Sequence, residues 1–370
     1  MLLTAALAIA SSPVAAQGTG APSGAATPKR PQEPKPPFPY AAEDVSYRNE
    51  AAGIRLAGTL TRPQAGGPFA SVLLITGAGS QDRDETLFGH KPFLVIADHL
   101  TRRGLAVLRV DDRGVGRSDR SPGGATTQDS AGDVLAGVAY LKTRADIDPT
   151  RIGLAGHSEG ANIAAIVAAG SPEIRFIIML AGAGVPGDAI LFMQAAALAR
   201  ARGASAEAIE WDRSVRARVY ELLKSEVNGV ADTTRRQTLL DQLPPAPGAS
   251  DQASARQLGA ALLKVGSGAW YRHFLSYDPA PTLVKVKCPV LVLIGENDVQ
   301  VPPEENVRAI RRALVAGGNT DHTAIIPPRL NHFYQTSVTG LPDEYARIEE
   351  TFAPTVLELM TGWILKRVAR

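Results

Sequence analysis

One cysteine, Cys288, is all that this 370-residue sequence contains, so no disulfide can close within a single chain and the fold must rest on its apolar core. Cys288 opens the run Cys288-Pro289-Val290-Leu291-Val292-Leu293-Ile294, where it reads as a small buried side chain and not as a nucleophile. Charge of one sign is also lacking. The formal net charge is +2 and no lysine- or arginine-rich block occurs, which argues against a nucleic-acid partner. There is no H-E-x-x-H, no Cys/His cluster and no G-x-x-x-x-G-K-S/T, so no metal and no cofactor is expected. No internal repeat is evident. What is present is 45% hydrophobic and 21% charged residues, the profile of a globular chain long enough for one large domain or two ordinary ones.

The first 40 residues stand apart. Leu2 to Ala10 is apolar and is followed by Ser11-Ser12-Pro13-Val14-Ala15-Ala16-Gln17, with Val14 and Ala16 at the −3 and −1 positions of a cleavage site after Ala16. The run is about half the length that spans a bilayer. Residues 1–16 therefore read as an export signal, with no membrane span after its removal and a periplasmic or secreted location expected. No Lys or Arg precedes the run, which departs from the usual signal and leaves the placement of the start open. Residues 17–40, with Pro31, Pro34, Pro36, Pro37 and Pro39, read as a semi-extended linker, and the folded domain is expected from Ala41.

Beyond it, strands and helices alternate. Val45 to Arg48 and Ile54 to Arg62 read as paired strands, and Phe69 to Thr76 as a strand buried on both faces. A helix carrying Phe93, Ile96 and Leu100 follows, then a strand Leu105 to Val110 and a helix from about Gln128 to Thr143. Ile174 to Leu180, Pro289 to Ile294 and His322 to Ile326 read as further strands, with a helix from Glu304 to Ala316 between the last two. A final helix is expected over Asp343 to Arg367, with Ile348, Phe352, Val356 and Met360 on one face. This alternation predicts an α/β fold, a mostly parallel sheet with helices on both faces. The core is expected at 41–184 and 282–370; residues 185–281 show no strand pattern and read as a helical cap over the site.

The chemistry is read from Gly156-His157-Ser158-Glu159-Gly160, set between an apolar strand and a small-residue helix. This is the G-x-S-x-G elbow in its strand–turn–helix context, where a tight turn presents the serine and leaves room only for glycine at 156 and 160. A serine hydroxyl needs a base, and the base an acid to orient it. Asp298 follows the strand ending at Ile294, and His332 follows the one ending near Ile326, in the order serine, acid, histidine. Among the other histidines, His99 sits in a helix, His157 packs within the elbow, His322 starts a strand at its far end and His273 lies in the insertion. His90 remains a weaker candidate for substrate contact. Asp298 is preferred as the acid over Glu296, too early in its loop, and over Asp112, expected to organise a turn with Arg113. Backbone N–H groups of Glu159 and of Ala78, in Thr76-Gly77-Ala78-Gly79, are expected to form an oxyanion hole, with Gly77 as the alternative to Ala78.

These segments, together with Leu56-Ala57-Gly58-Thr59-Leu60, Gln81-Asp82-Arg83-Asp84 and Asp111-Asp112-Arg113-Gly114-Val115-Gly116-Arg117-Ser118, resemble the α/β-hydrolase superfamily, and within it bacterial exported esterases related to serine aminopeptidase-like hydrolases. The resemblance runs from about Val45 to the C-terminus. It implies Ser158 as nucleophile, Asp298 as acid and His332 as base. Thr76 departs from the histidine that many relatives carry there, and the Gln81–Glu85 segment reads as a solvated, self-paired charged loop. The resemblance implies a serine esterase acting on small-molecule esters. Amide or aminopeptide cleavage stands beside it, and would need carboxylates such as Glu207, Glu210, Glu221 or Glu226 to hold a substrate amine. Acyl transfer and a non-catalytic binding module are the weaker readings, and oligomeric state is left open.

Overall fold

The computed structural model describes residues 29–120, 125–226 and 230–369, so the expected export signal lies outside the described residues. Strands β1 (Tyr40–Asn49) and β2 (Ile54–Pro63) form an antiparallel pair, and Gly53 takes φ 66° in the turn between them. Next come β3 (Phe69–Ile75), α1 (Pro92–Arg102), β4 (Ala106–Val110), α2 (Thr127–Thr143), β5 (Ile147–His157), α3 (Glu159–Gly170) and β6 (Ile177–Leu180). Among the described residues, six helices separate β6 from the next strand: α4 (Gly187–Ala201), α5 (Ala206–Ser225), α6 (Thr233–Asp241), α7 (Ala253–Val265), α8 (Ala269–Ser276) and α9 (Ala280–Leu283). The chain then runs through β7 (Val290–Leu293), α10 (Pro303–Ala316), β8 (His322–Ile325), α11 (Pro342–Tyr345) and α12 (Pro354–Val368).

All eight strands form one sheet in the order β1-β2-β4-β3-β5-β6-β7-β8. It is parallel from β4 to β8, with antiparallel pairing only at β1–β2 and β2–β4. Alternation along the strands feeds two cores. In β3, Leu73 and Ile75 enter the apolar cluster shared with α2 and α3, while Val72 and Leu74 enter the one closed by α1 and α12. Each such side chain, buried to within a few per cent, stabilises the fold by ~1.5–3 kcal/mol. Val215, Tyr220 and Leu262 of the insertion belong to the first cluster, so the inserted helices pack onto the sheet domain through a continuous apolar contact.

Two expectations are corrected. The proline-rich stretch is not a free linker in its described part. Arg30 donates to the carbonyls of Phe88, Gly89, Ala346 and Ile348, and the Gln32 amide bonds both the N–H and the C=O of Phe352. Two side chains thus serve backbone groups that would otherwise need water, which ties this stretch to the sheet domain. The final helix is also shorter than expected, because proline lacks the N–H that would continue a helix and sets it instead at a helix's first position. Pro354 begins α12, Ala353 before it takes φ −57°, ψ 123°, and Ile348 and Phe352 lie in the irregular segment after α11. No helix among the described residues is long and apolar enough to cross a membrane.

Candidate active site

Ser158 sits between the end of β5 and the start of α3 with φ 55° and ψ −118°, a backbone conformation that costs of order 1–3 kcal/mol and persists only where the surroundings enforce it. Its N–H donates to the Leu180 carbonyl at 2.7 Å, tying the turn to β6. Both elbow glycines are required by space. A Cβ on Gly156 would stand 2.0 Å from the Gly160 carbonyl oxygen, and one on Gly160 2.2 Å from that of Ile75. The turn is therefore wedged between β3 and its own helix, and either Gly→Ala change would force the serine out of place.

His332 and Asp298 come together from the loops after β8 and β7. His332 Nδ1 lies 2.8 Å from Asp298 Oδ2, with both side chains buried. The other oxygen of Asp298 accepts the N–H groups of Gln300 and Val301, each at 2.8 Å, which fixes the carboxylate in direction. The Tyr334 hydroxyl donates to the Leu293 carbonyl and fixes the histidine loop onto β7. Nε2 of His332 has no partner among the described residues, and Ser158 and His332 line the same two clefts, each of about 50 Å³.

Ala78 lines both clefts beside Ser158, and Glu159 lines one of them; the backbone N–H of neither donates to anything among the described residues. The Gly77 N–H, by contrast, donates to Glu85 Oε1 at 2.8 Å. It is therefore occupied, and Ala78 is the donor that remains. The Gln81–Glu85 segment is not the solvated, self-paired loop expected from its charges. Arg83 pairs with Asp111, Asp84 with Arg109, and Glu85 is 1% exposed with Oε1 2.9 Å from His157 Nδ1. Arg83, Asp84 and Glu85 thus meet partners on the loop after β4, on β4 and on the elbow, while Asp82 accepts the N–H groups of Asp84 and Thr86 within its own turn.

Asp112 does not serve Arg113, which pairs with Asp133. Its carboxyl accepts the Thr76 hydroxyl and the Gln81 N–H, both at 2.8 Å, so it shapes the oxyanion loop. Burial, only partly offset by those two bonds, pushes its pKa up to about 7. His90 is not a substrate contact: its ring is buried between Thr351 and the Tyr345 carbonyl. The Cys288 thiol is pushed up to about 12 by burial, which removes it as a nucleophile near neutral pH.

The insertion reaches the site through Ile190, Leu191 and Gln194 of α4 and Trp270 and Phe274 of α8. Trp270 Nε1 donates to both oxygens of Glu159 at 2.8 and 2.9 Å, and the Thr127 hydroxyl donates to one of them. Burial raises the Glu159 pKa against the pull of these two donors. Glu85, Thr127 and Trp270 had no signal of their own in the sequence; only the tertiary contact reveals them. A cavity of about 670 Å³ adjoins this site without including the serine: Glu159 and Trp270 line it and the Ser158 cleft alike.

Comparison with known proteins gives the family and the fold. The model of the family described as "Serine aminopeptidase, S33" matches residues 91–333. Esterase EstD of Thermotoga maritima is 36% identical over 106 residues, which is 29% of this chain and 25% of that one. An uncharacterized protein of Mycobacterium tuberculosis is 32% identical over 126 residues, 34% of this chain and 41% of that one. The chain thus matches well under half the length of these relatives. Among solved structures, the α/β hydrolase GrgF from Penicillium sp. superposes with TM-score 0.55 at 16% identity, covering 89% of this chain and all of that one. The Pyrococcus furiosus esterase Pf2001 gives 0.52 at 16%, covering 89% and 91%. The fold is that of the α/β hydrolases, and the chain belongs to the serine aminopeptidase S33 family.

Proposed function

We propose that this chain is a serine hydrolase that cleaves carboxylic esters through an acyl-enzyme intermediate, with Ser158 as nucleophile, His332 as base and Asp298 as orienting acid. The observation that carries the reading is the buried Nδ1···Oδ2 contact of 2.8 Å, which leaves Nε2 of His332 as the one ring nitrogen turned to the cleft it shares with Ser158. Ser158 Oγ adds to the ester carbonyl as its proton passes to His332 Nε2, and the carbonyl oxygen, now negative, is received by the N–H groups of Ala78 and Glu159. The intermediate collapses, the C–O bond to the alcohol breaks, and His332 returns the proton to the leaving oxygen. Water repeats the sequence on the acyl-enzyme, releasing the acid and restoring the serine.

Ester over amide cleavage is favoured by what the insertion presents. Glu207, Glu210 and Glu221 lie exposed on α5, and Glu226 is buried against Arg236, so none lines the two clefts beside Ser158 as an anchor for a substrate amine. The name of the Thermotoga maritima relative points the same way. The insertion is read as a cap, on the strength of the five side chains that α4 and α8 contribute to the cleft. Export to the periplasm or beyond is retained on the strength of the Leu2–Ala10 run and the small residues at 14 and 16.

A fluorophosphonate probe tests the nucleophile. Wild type is expected to be labelled at Ser158 and Ser158→Ala to be blank; labelling of another residue overturns the assignment. Run beside it, p-nitrophenyl esters of rising chain length are expected to be turned over and aminoacyl anilides not.

A further inference from the structure

His157 stands one residue before the nucleophile, 4% exposed, and both of its ring nitrogens are engaged. Nδ1 lies 2.9 Å from Glu85 Oε1 and Nε2 lies 2.9 Å from the backbone carbonyl oxygen of His332. A carbonyl oxygen can only accept, so Nε2 must carry a proton. Glu85 Oε1 also accepts the Gly77 N–H at 2.8 Å, so the oxygen that faces Nδ1 already serves as an acceptor, the role it would play toward a proton on Nδ1.

We propose that Glu85 and His157 form a buried carboxylate–imidazolium pair that positions both halves of the catalytic machinery, the oxyanion loop through the Gly77 N–H and the base through the carbonyl of His332. One continuous chain of hydrogen bonds runs from Gly77 through Glu85 and His157 to the main chain of His332, passing behind Ser158. These are positioning residues. The rings support the same placement: His157 lies 4.8 Å from His332, 5.3 Å from Phe333 and 6.4 Å from Tyr334, centroid to centroid. Glu85 holds this place at φ 52°, a conformation that its surroundings must enforce. The groups facing the pair are Asp298, the His332 ring and carbonyl and the Tyr334 hydroxyl around His157, and Asp112 on the side of Glu85. Burial opposes protonation of His157, but the charge and hydrogen bond of Glu85, the His332 carbonyl and the more distant Asp298 outweigh it and raise its pKa.

The pairing rests on the reading of Ser158 and His332 given above, whereas its charge state can be seen without any substrate. In protein labelled with ¹⁵N-histidine, wild type at pH 8 is expected to show one imidazole with both nitrogens protonated, in contact with the Phe333 and Tyr334 rings. That signal is expected to vanish in His157→Asn and to revert to a neutral ring in Glu85→Gln. Glu85→Gln is expected to slow fluorophosphonate labelling of Ser158 about 10²-fold, the scale set by misplacing reacting groups by about an ångström. Its KM for a p-nitrophenyl ester is expected within about twofold of wild type, with the loss in kcat. A neutral His157 in wild type at pH 8 overturns the proposal even if neither variant folds, and so does labelling of Glu85→Gln at the wild-type rate. An intact imidazolium signal in a protein that cleaves no ester would refute the esterase reading and leave the pair standing.

Discussion

His332 with Asp298 and His157 with Glu85 make two buried histidine–carboxylate pairs whose rings stand 4.8 Å apart. In the first, Nδ1 is held and Nε2 opens on the cleft; in the second, Nε2 is spent on a backbone carbonyl. Pairing with a carboxylate is therefore not what distinguishes a general base from a structural ring. The nitrogen left over is. A histidine with both nitrogens committed can hold a charge and a shape but has no site to which a serine proton could pass.

The comparison breaks if a neighbouring carboxylate is all that counts, for then Asp298→Asn and Glu85→Gln would cost alike. An asparagine at 298 can still bond the ring, but it can turn the imidazole to the wrong tautomer and cannot offset the positive charge that forms in the transition state. The expected loss is about 10⁴-fold in kcat, the scale of removing the acid of such a triad. KM is expected to change little. Steady-state rates on a p-nitrophenyl ester decide it, and a loss no larger than about 10²-fold would make the two pairs equivalent.

The asymmetry between these pairs also explains how much the sequence disclosed. Ser158, Asp298 and His332 were legible because each follows a strand in a fixed order, and because Gly156 and Gly160 mark a turn that only glycine can make. The alternation of strands and helices likewise gave the sheet and an insertion that has no strand among the described residues. Glu85 was not legible, since its place in Asp82-Arg83-Asp84-Glu85 looks the same as that of its neighbours until the loop folds onto Asp111, Arg109 and His157. Local spacing reports what a residue's own element needs. A charge whose partner lies 72 positions away, as for His157 and Glu85, leaves no local trace. The break in the last helix was legible in Pro354 but lost to the periodicity on either side of it.

Asp112 sharpens the comparison as a half-buried carboxylate in the same region, bonded by Thr76 and Gln81 but by no cation among the described residues. Burial pushes it up to about 7, so between about pH 4 and pH 7 the folded chain keeps a proton that the unfolded chain has lost. Folding stability from this group is complete below about pH 4 and falls as the pH rises through that window, by up to about 4 kcal/mol. Asp112→Asn cannot ionise, yet its amide can donate to the Thr76 oxygen while its carbonyl accepts the Gln81 N–H. The variant is expected to match wild type at pH 4 and to melt several degrees higher at pH 8. A difference in Tm that stays constant across that range would mean that Asp112 is ionised throughout.

The smallest effect concerns the contact between the insertion and the elbow. Trp270 is stacked on Phe274 at 5.1 Å and also donates its indole N–H to Glu159, the residue whose backbone N–H is assigned to the oxyanion hole. Trp270→Phe keeps an aromatic ring in the stack but removes the donor, leaving the buried Glu159 carboxylate with Thr127 alone. The expected cost is about 1–2 kcal/mol, the usual price of depriving a buried acceptor of a partner. Because burial already raises Glu159, losing the indole raises it further, so the variant's deficit grows as the pH rises and Glu159 must ionise without its donor. Hydrogen exchange in α8 resolves the two ways in which the insertion can be held. If the hydrogen bond contributes, α8 amides in Trp270→Phe exchange about tenfold faster and the gap widens toward alkaline pH. If apolar packing alone holds the insertion, exchange in α8 is unchanged, and Glu159 then belongs with Glu85 among the carboxylates that shape the site from behind it.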